Sequence, residues 1–272
     1  MAGAQSRRDW ERDPVTGVIR GAEPFVFDGG KGNRDAILFL HGWTSTPREL
    51  RFLAERAAQA GFRCEGLLLP GHGTRVEDLI PTRFPDYLAA SQSAFAALQA
   101  RHERVFICGL SMGGLLGLHL ALTGKVAGLV LIAPFLVPSG STFGIPNRWL
   151  IGRVPLPAML GKSAGGPIED PQGKVGHIAY SSMPSASMVS VVEAARRLKP
   201  SLATIQSPTL IFHSHHDHTS DVRASRILMQ RLASEDKRLI LYERGNHVIT
   251  LDYPRPQLEA DALAWLEQRR SH

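Results

Sequence analysis

The 272-residue sequence holds only two cysteines, Cys64 and Cys108, both inside apolar runs. So few exclude a disulfide scaffold, and the expectation is a pair of buried free thiols in a reducing compartment. Long hydrophobic runs are also missing. The longest, LVLIAPFLV, is half of what a bilayer-spanning helix needs. The opening MAGAQSRRDWERDPVTG is polar, without the apolar region of a secretory signal, so the expected location is the cytoplasm. Although the net charge is +6, the arginines are scattered, and no dense basic run is interleaved with aromatics. Nucleic acid is therefore not an expected partner, and contact with a lipid surface is at most transient. No internal repeat is present. What remains is 43% hydrophobic and 21% charged, the balance of a globular chain able to bury a full core.

Strand-like and helical patterns alternate along most of that length. AILFL (36–40) reads as a buried strand and RELRFLAERAAQA (48–60) as an amphipathic helix opened by Pro47. FRCEGLLL (62–69) is a second strand, closed by PGHG. A long helix FPDYLAASQSAFAALQARH (84–102), a strand RVFICG (104–109), a helix MGGLLGLHLALT (112–123) and a strand VAGLVLIAP (126–134) follow. After an interruption come a helix at 185–199, a strand PTLIF (208–212), a helix at 225–234, a strand RLILYE (238–243) and a last helix at 257–270. This rhythm predicts a mostly parallel sheet covered by helices on both faces. The interruption, 135–183, is rich in glycine, proline and serine and too long for a plain connection. It reads as an inserted cap, leaving 1–134 and 184–272 as one core domain.

Two stretches fit G-x-S-x-G, a motif in which small neighbours let a serine sit on a sharp strand-to-helix turn. GLSMG (109–113) lies between a predicted strand and a predicted helix, as the motif requires. GKSAG (161–165) lies in the insertion ahead of GPIEDP, where neither strand nor helix is expected. Ser111 is therefore the candidate nucleophile, and Ser163 is a chance match.

With HGWTSTP (41–47) following the first strand and GLSMGG following the third, the chain resembles the α/β-hydrolase superfamily. That resemblance implies an α/β-hydrolase fold with a small inserted cap, and an oxyanion hole built from the backbone N–H groups of Trp43 and Met112. His41 and Gly42 belong to the oxyanion loop, and His72 in PGHG to a structural turn. The resemblance also sets the chain order of the remaining groups as acid, then histidine. His247 in RGNHVITLD, after the last strand, is the implied general base. Asp217, the first carboxylate after PTLIF, is the implied acid, with Asp221 as its alternative and a helix-start carboxylate by preference.

Asp217 falls within HSHHDH (213–218), whose H-x-H-x-D-H pattern resembles the metal-binding signature of the metallo-β-lactamase superfamily. In that family the pattern comes early and further ligands follow; here it starts at residue 213, and only His247 and His272 come after it. A catalytic zinc takes at least three protein ligands, usually held in orientation by further hydrogen bonds. No metal and no other cofactor is therefore expected, and the four histidines are read as bystanders to Asp217.

HGWTSTP, LPGHG, GLSMGG, YSSMPSASM and GNHVITLD together look most like the bacterial carboxylesterase and monoacylglycerol lipase group. The resemblance implies a serine esterase acting on apolar short- to medium-chain esters or monoacylglycerols through an acyl-enzyme. Serine at the elbow argues against haloalkane dehalogenases and epoxide hydrolases. A thioesterase or lactonase of the same fold, and a metal-dependent hydrolase using HSHHDH, stand as alternatives. Phe135, Phe143, Ile145, Trp149, Leu150 and Ile151 are expected to offer the acyl chain an apolar wall.

Overall fold

β-Branched and aromatic runs that alternate between two faces build a sheet with two cores, one on each side. The computed structural model describes residues 10–30, 34–139, 151–153, 155–162 and 166–270. The strands, in chain order, are β1 (Phe25–Phe27), β2 (Asp35–Leu40), β3 (Arg63–Leu67), β4 (Arg104–Leu110) and β5 (Gly128–Ile132). Then come β6 (Met159–Gly161), β7 (Ser182–Pro184), β8 (Thr209–Ser214) and β9 (Lys237–Tyr242). The helices are α1 (Arg51–Gln59), α2 (Val76–Leu79), α3 (Phe84–Gln99), α4 (Met112–Thr123), α5 (Pro171–Gly176), α6 (Ser185–Leu198), α7 (Arg223–Arg231) and α8 (Arg255–Glu267).

Seven strands form one sheet in the order β1-β3-β2-β4-β5-β8-β9, parallel except for β1, which runs antiparallel to β3. Along β2, Leu38 and Leu40 join the core under α3, α4 and α6, while Ile37 and Phe39 join the core under α1 and α8. The same division repeats at Ile107 and Phe106 in β4 and at Leu131 and Val130 in β5. Both faces are thus covered, and the parallel strands β2, β4, β5 and β8 are continuously apolar rather than alternating.

Each expected strand and long helix is present, with ends shifted by a few residues. β1 was not anticipated: three residues with only Phe25 buried carry too little pattern to read. Pro47 opens a 3-10 turn, Pro47–Leu50, and α1 follows it. Within the interrupting stretch, β6 and β7 pair as an antiparallel ribbon, and α5 starts at the end of GPIEDP. The expectation that neither strand nor helix occurs there needs that correction, since local pairing across the stretch supplies a partner no propensity reveals. Phe135, Leu136 and Val137 enter the main core. Among the described residues, no helix is long and apolar enough to cross a membrane.

Candidate active site

The turn from β4 into α4 holds Ser111 at φ 55°, ψ −112°, a backbone conformation that L-residues seldom adopt. The flanking glycines make it possible. A Cβ at Gly109 would lie 2.3 Å from the Gly113 carbonyl oxygen, and one at Gly113 would lie 1.8 Å from the Leu40 carbonyl oxygen. The end of β5 and the residues just after it fix the turn: Ser111 N–H donates to the Ile132 carbonyl (2.9 Å), and Phe135 N–H donates to the Ser111 carbonyl (3.1 Å). Met112 opens α4, so its N–H lacks an intrahelical acceptor and faces the same end of the sheet as the serine.

β8 and β9 deliver two further groups to this end. His247 donates from Nδ1 to Asp217 Oδ2 at 2.7 Å, with both side chains buried. Asp217 Oδ1 accepts the backbone N–H groups of Thr219 (2.7 Å) and Ser220 (2.8 Å), so the carboxylate is anchored before it meets the imidazole. Burial alone would raise its pKa, but the imidazoles of His247 and His213 outweigh burial and hold the group below the usual carboxylate range. The His247 loop is itself pinned. Pro167 O accepts the N–H groups of His247 (3.1 Å) and Val248 (3.0 Å), and buried Asp252 accepts those of Asn246, Glu169 and Asp170.

The loop after β2 closes the other side. Gly42 N–H donates to Glu49 Oε2 at 3.0 Å, and Thr44, at φ 66°, donates its N–H to His72 Nε2 at 3.0 Å. His72 Nδ1 donates to the Pro70 carbonyl (2.9 Å), while His41 accepts from Leu69 N–H (3.1 Å). Both rings therefore serve as neutral loop supports. Burial pushes His41 below the ordinary histidine value, and burial with the adjacent His41 takes His72 down to about 3. Residues 176–180 strap this loop from above: Arg48 Nε reaches Gly176 O (2.7 Å), and Tyr180 N–H reaches Thr44 O (2.9 Å).

Ser111, Met112, Trp43 and His247 line one pocket. Part of its lining is apolar, with Leu110, Phe135, Met183, Met188, Val191 and Val248, and part is polar, with Ser45, Glu49, Lys162, His177 and His218. His177 Nε2 lies 3.2 Å from Ser45 Oγ and 3.3 Å from Glu49 Oε1. Burial opposes ionisation of Glu49, yet His177, Ser45 and the Gly42 N–H bring its pKa to about 2; burial also lowers Lys162 to about 8.

The residues expected from sequence thus meet in one place: Ser111, His247, Asp217, Trp43, Met112 and Phe135. Ile151 is fully buried in the main core and is absent from the pocket lining. Phe143, Ile145, Trp149, Leu150 and Ser163 lie outside the described residues. Asp221 accepts from Arg223 N–H (2.9 Å) at the start of α7 and pairs with the Arg223 guanidinium, the helix-start role expected of it. Of the four histidines in HSHHDH, His215, His216 and His218 are exposed. His213 is fully buried and touches Asp217, so reading all four as bystanders fails for that one, and His218 lines the same pocket as Ser111 and His247. Among the described residues, no group of three or more His, Cys, Asp or Glu side chains is arranged to hold a metal ion. Sequence reasoning missed Glu49, Lys162, His177 and Asp252. Only Asp252 had a signal, as the last residue of GNHVITLD.

The alpha/beta hydrolase family model matches residues 37–261. The chain is 34% identical over 244 residues to the thermostable monoacylglycerol lipase of Bacillus sp. (strain H-257), covering 89% of this chain and 92% of that one. It is 27% identical to a carboxylesterase of Bacillus subtilis (strain 168), with 90% and 96% covered. A structure reported for the metagenome-derived lipolytic enzymes LipS and LipT superposes with a TM-score of 0.82 at 28% identity, with 92% and 99% covered. The elbow serine, the buried Asp–His pair and a match spanning most of the chain lead to one conclusion: this protein belongs to the alpha/beta hydrolase family and is a hydrolase of the esterase and lipase type.

Proposed function

We propose that the protein is a serine carboxylic-ester hydrolase that cleaves apolar short- to medium-chain acyl esters, monoacylglycerols among them, through an acyl-enzyme. One observation carries the reading: Ser111, on a strained strand-to-helix turn, shares a pocket with the buried His247–Asp217 pair. With Nδ1 committed to Asp217, the other imidazole nitrogen, Nε2, is the basic one. It takes the Ser111 proton as Oγ attacks the ester carbonyl, and Asp217 stabilises the imidazolium that forms. The N–H groups of Trp43 and Met112 receive the oxyanion. His247 then protonates the departing alcohol oxygen, and a water molecule, deprotonated by the same nitrogen, releases the acid and restores Ser111.

The apolar lining suits the acyl chain, with Met183 and Met188 as adaptable walls. The polar side chains Ser45, Glu49, Lys162 and His177 suit a hydroxylated alcohol such as glycerol, in keeping with the monoacylglycerol lipase among its relatives. In this reading residues 135–183 form the cap, small esters are the partners, and two buried free thiols fit a cytoplasmic setting.

The test is kcat/KM for p-nitrophenyl esters of increasing acyl length and for monoacylglycerols, with wild type and Ser111→Ala. It should climb from acetyl to medium chains by up to about 0.8 kcal/mol per methylene. A strict preference for acetyl or for charged acyl groups would sink the proposal.

A further inference from the structure

Asp217 Oδ2 serves two imidazoles. His247 Nδ1 is 2.7 Å away, and His213 Nε2 approaches the same oxygen at 3.2 Å, with both side chains of the second pair fully buried. His213 stands near the end of β8. Its Nδ1 is 2.7 Å from Ser225 Oγ on α7, and its Nε2 is also 3.0 Å from the Ser220 carbonyl. These neighbours decide the tautomer. Nε2 faces a carboxylate oxygen and a carbonyl oxygen, neither of which can donate, so Nε2 must carry a proton; the Ser225 hydroxyl is free to donate to Nδ1. Ser220 closes the ring, because its N–H holds Asp217 Oδ1 while its carbonyl receives His213.

We infer that His213 is a positioning residue for the hydrolysis, its Nε2–H sharing Asp217 Oδ2 with His247 so that the carboxylate is fixed in place and its pull on the His247 proton is tempered. The inference rests on the reading of Ser111, His247 and Asp217 as the reacting groups. Two backbone N–H groups hold Asp217 Oδ1. The single Nε2 proton of His213, hydrogen-bonded to the Ser220 carbonyl at 3.0 Å, also lies against Oδ2 at 3.2 Å, so it is shared between the two oxygens while His247 meets the carboxylate from the other side. A donor on Oδ2 draws charge from the oxygen that stabilises the His247 imidazolium. That oxygen then pulls less strongly on the Nδ1 proton of His247 than it would with His213 absent. Asp217 is the ionisable side chain in contact with the His213 ring, and α7 presents the Ser225 hydroxyl; Glu49, Lys162, His177 and His218 line the pocket that His247 faces.

The first measurement needs neither a variant nor a substrate: 15N-edited NMR of histidine-labelled wild-type protein. A proton on His213 Nε2 is expected. A bare Nε2 would overturn the assignment, whatever ester the enzyme turns out to cleave. The second is the pH profile of kcat/KM. In His213→Phe the acid limb should move up by about half a pH unit or more, kcat should fall about 10- to 100-fold, and KM should stay within about twofold. His213→Gln, which keeps a donor, should return the limb toward its wild-type position. A merely packed residue would lower stability without that shift, and a displaced Asp217 would move the limb downward; either result refutes the proposal. Should His213→Phe fail to fold, His213→Met, which also lacks a donor toward Asp217, takes its place with the same expected direction.

Discussion

His247 Nδ1 and Asp217 Oδ2 meet at 2.7 Å across the ends of two adjacent parallel strands, though 30 residues separate them in the chain. Replacing that carboxylate by an amide keeps the shape but favours the wrong imidazole tautomer. Asp217→Asn should therefore lower kcat by about 10⁴-fold, by analogy with serine proteases. Asp221, already engaged by Arg223, should tolerate the same change with little loss. Steady-state kinetics of the two single variants and the double variant decide the matter. A crippled Asp221→Asn beside a normal Asp217→Asn would reverse the assignment.

Ser111→Ala should lower ester hydrolysis by several orders of magnitude, whereas Ser163→Ala should leave it nearly unchanged. An organophosphonate should label Ser111 alone when the adduct is mapped by peptide mass. A label on Ser163 would contradict the reading of the elbow.

Glu49 supports the loop that presents the Trp43 N–H. Glu49→Ala leaves the Gly42 N–H and the His177 ring without their buried acceptor, a loss of about 1–3 kcal/mol. Glu49→Gln keeps one acceptor oxygen and should be milder. Denaturant midpoints report the stability change and kcat the effect on the loop. Equal behaviour of wild type and Glu49→Ala in both would deny the carboxylate this role.

Acid should weaken the fold in two overlapping windows. His72 ordinarily titrates at 6.5 but only at about 3 in the folded chain. Between these values the unfolded chain binds a proton that the native site refuses, so stability falls as pH drops from about 6.5 toward 3. Glu49 is an acid brought from 4.5 to about 2; its contribution is present above 4.5 and is lost on the way down to 2. Urea midpoints followed from pH 7 to pH 4 should therefore decline, and His72→Gln should flatten the upper part of that decline. A wild-type midpoint that does not change with pH would show that His72 is not held neutral.

Dialysis against EDTA should leave hydrolysis unchanged, since serine, histidine and aspartate supply nucleophile and base without a Lewis acid. Activity lost to the chelator and restored by zinc would revive the reading of HSHHDH as a metal site.

Much of this was legible in the chain because it depends on local pattern. Strands such as AILFL and VAGLVLIAP are continuous apolar runs, and a parallel sheet with both faces covered requires them. Glycines at 109 and 113 around Ser111 reflect a steric need that any such turn imposes. Residue order then marked Asp217 and His247 through the family resemblance.

Other features were hidden because their meaning is a matter of distance between remote segments. His213 looked like one of four clustered histidines. Only strand packing shows that its ring is buried between Asp217, Ser220 and Ser225 while its three neighbours reach solvent. Glu49 read as one charge on an amphipathic helix, yet it is buried against Gly42 and His177, the latter 128 residues away. Periodicity and motif spacing report on contacts a few residues apart, and they were enough for the strands, the helices and the serine elbow. Which polar side chains lose their water, and which partners replace it, depends on how distant loops pack at the carboxyl ends of the strands, so the placing of His213, Glu49, Lys162 and His177 at the site came from the folded chain alone.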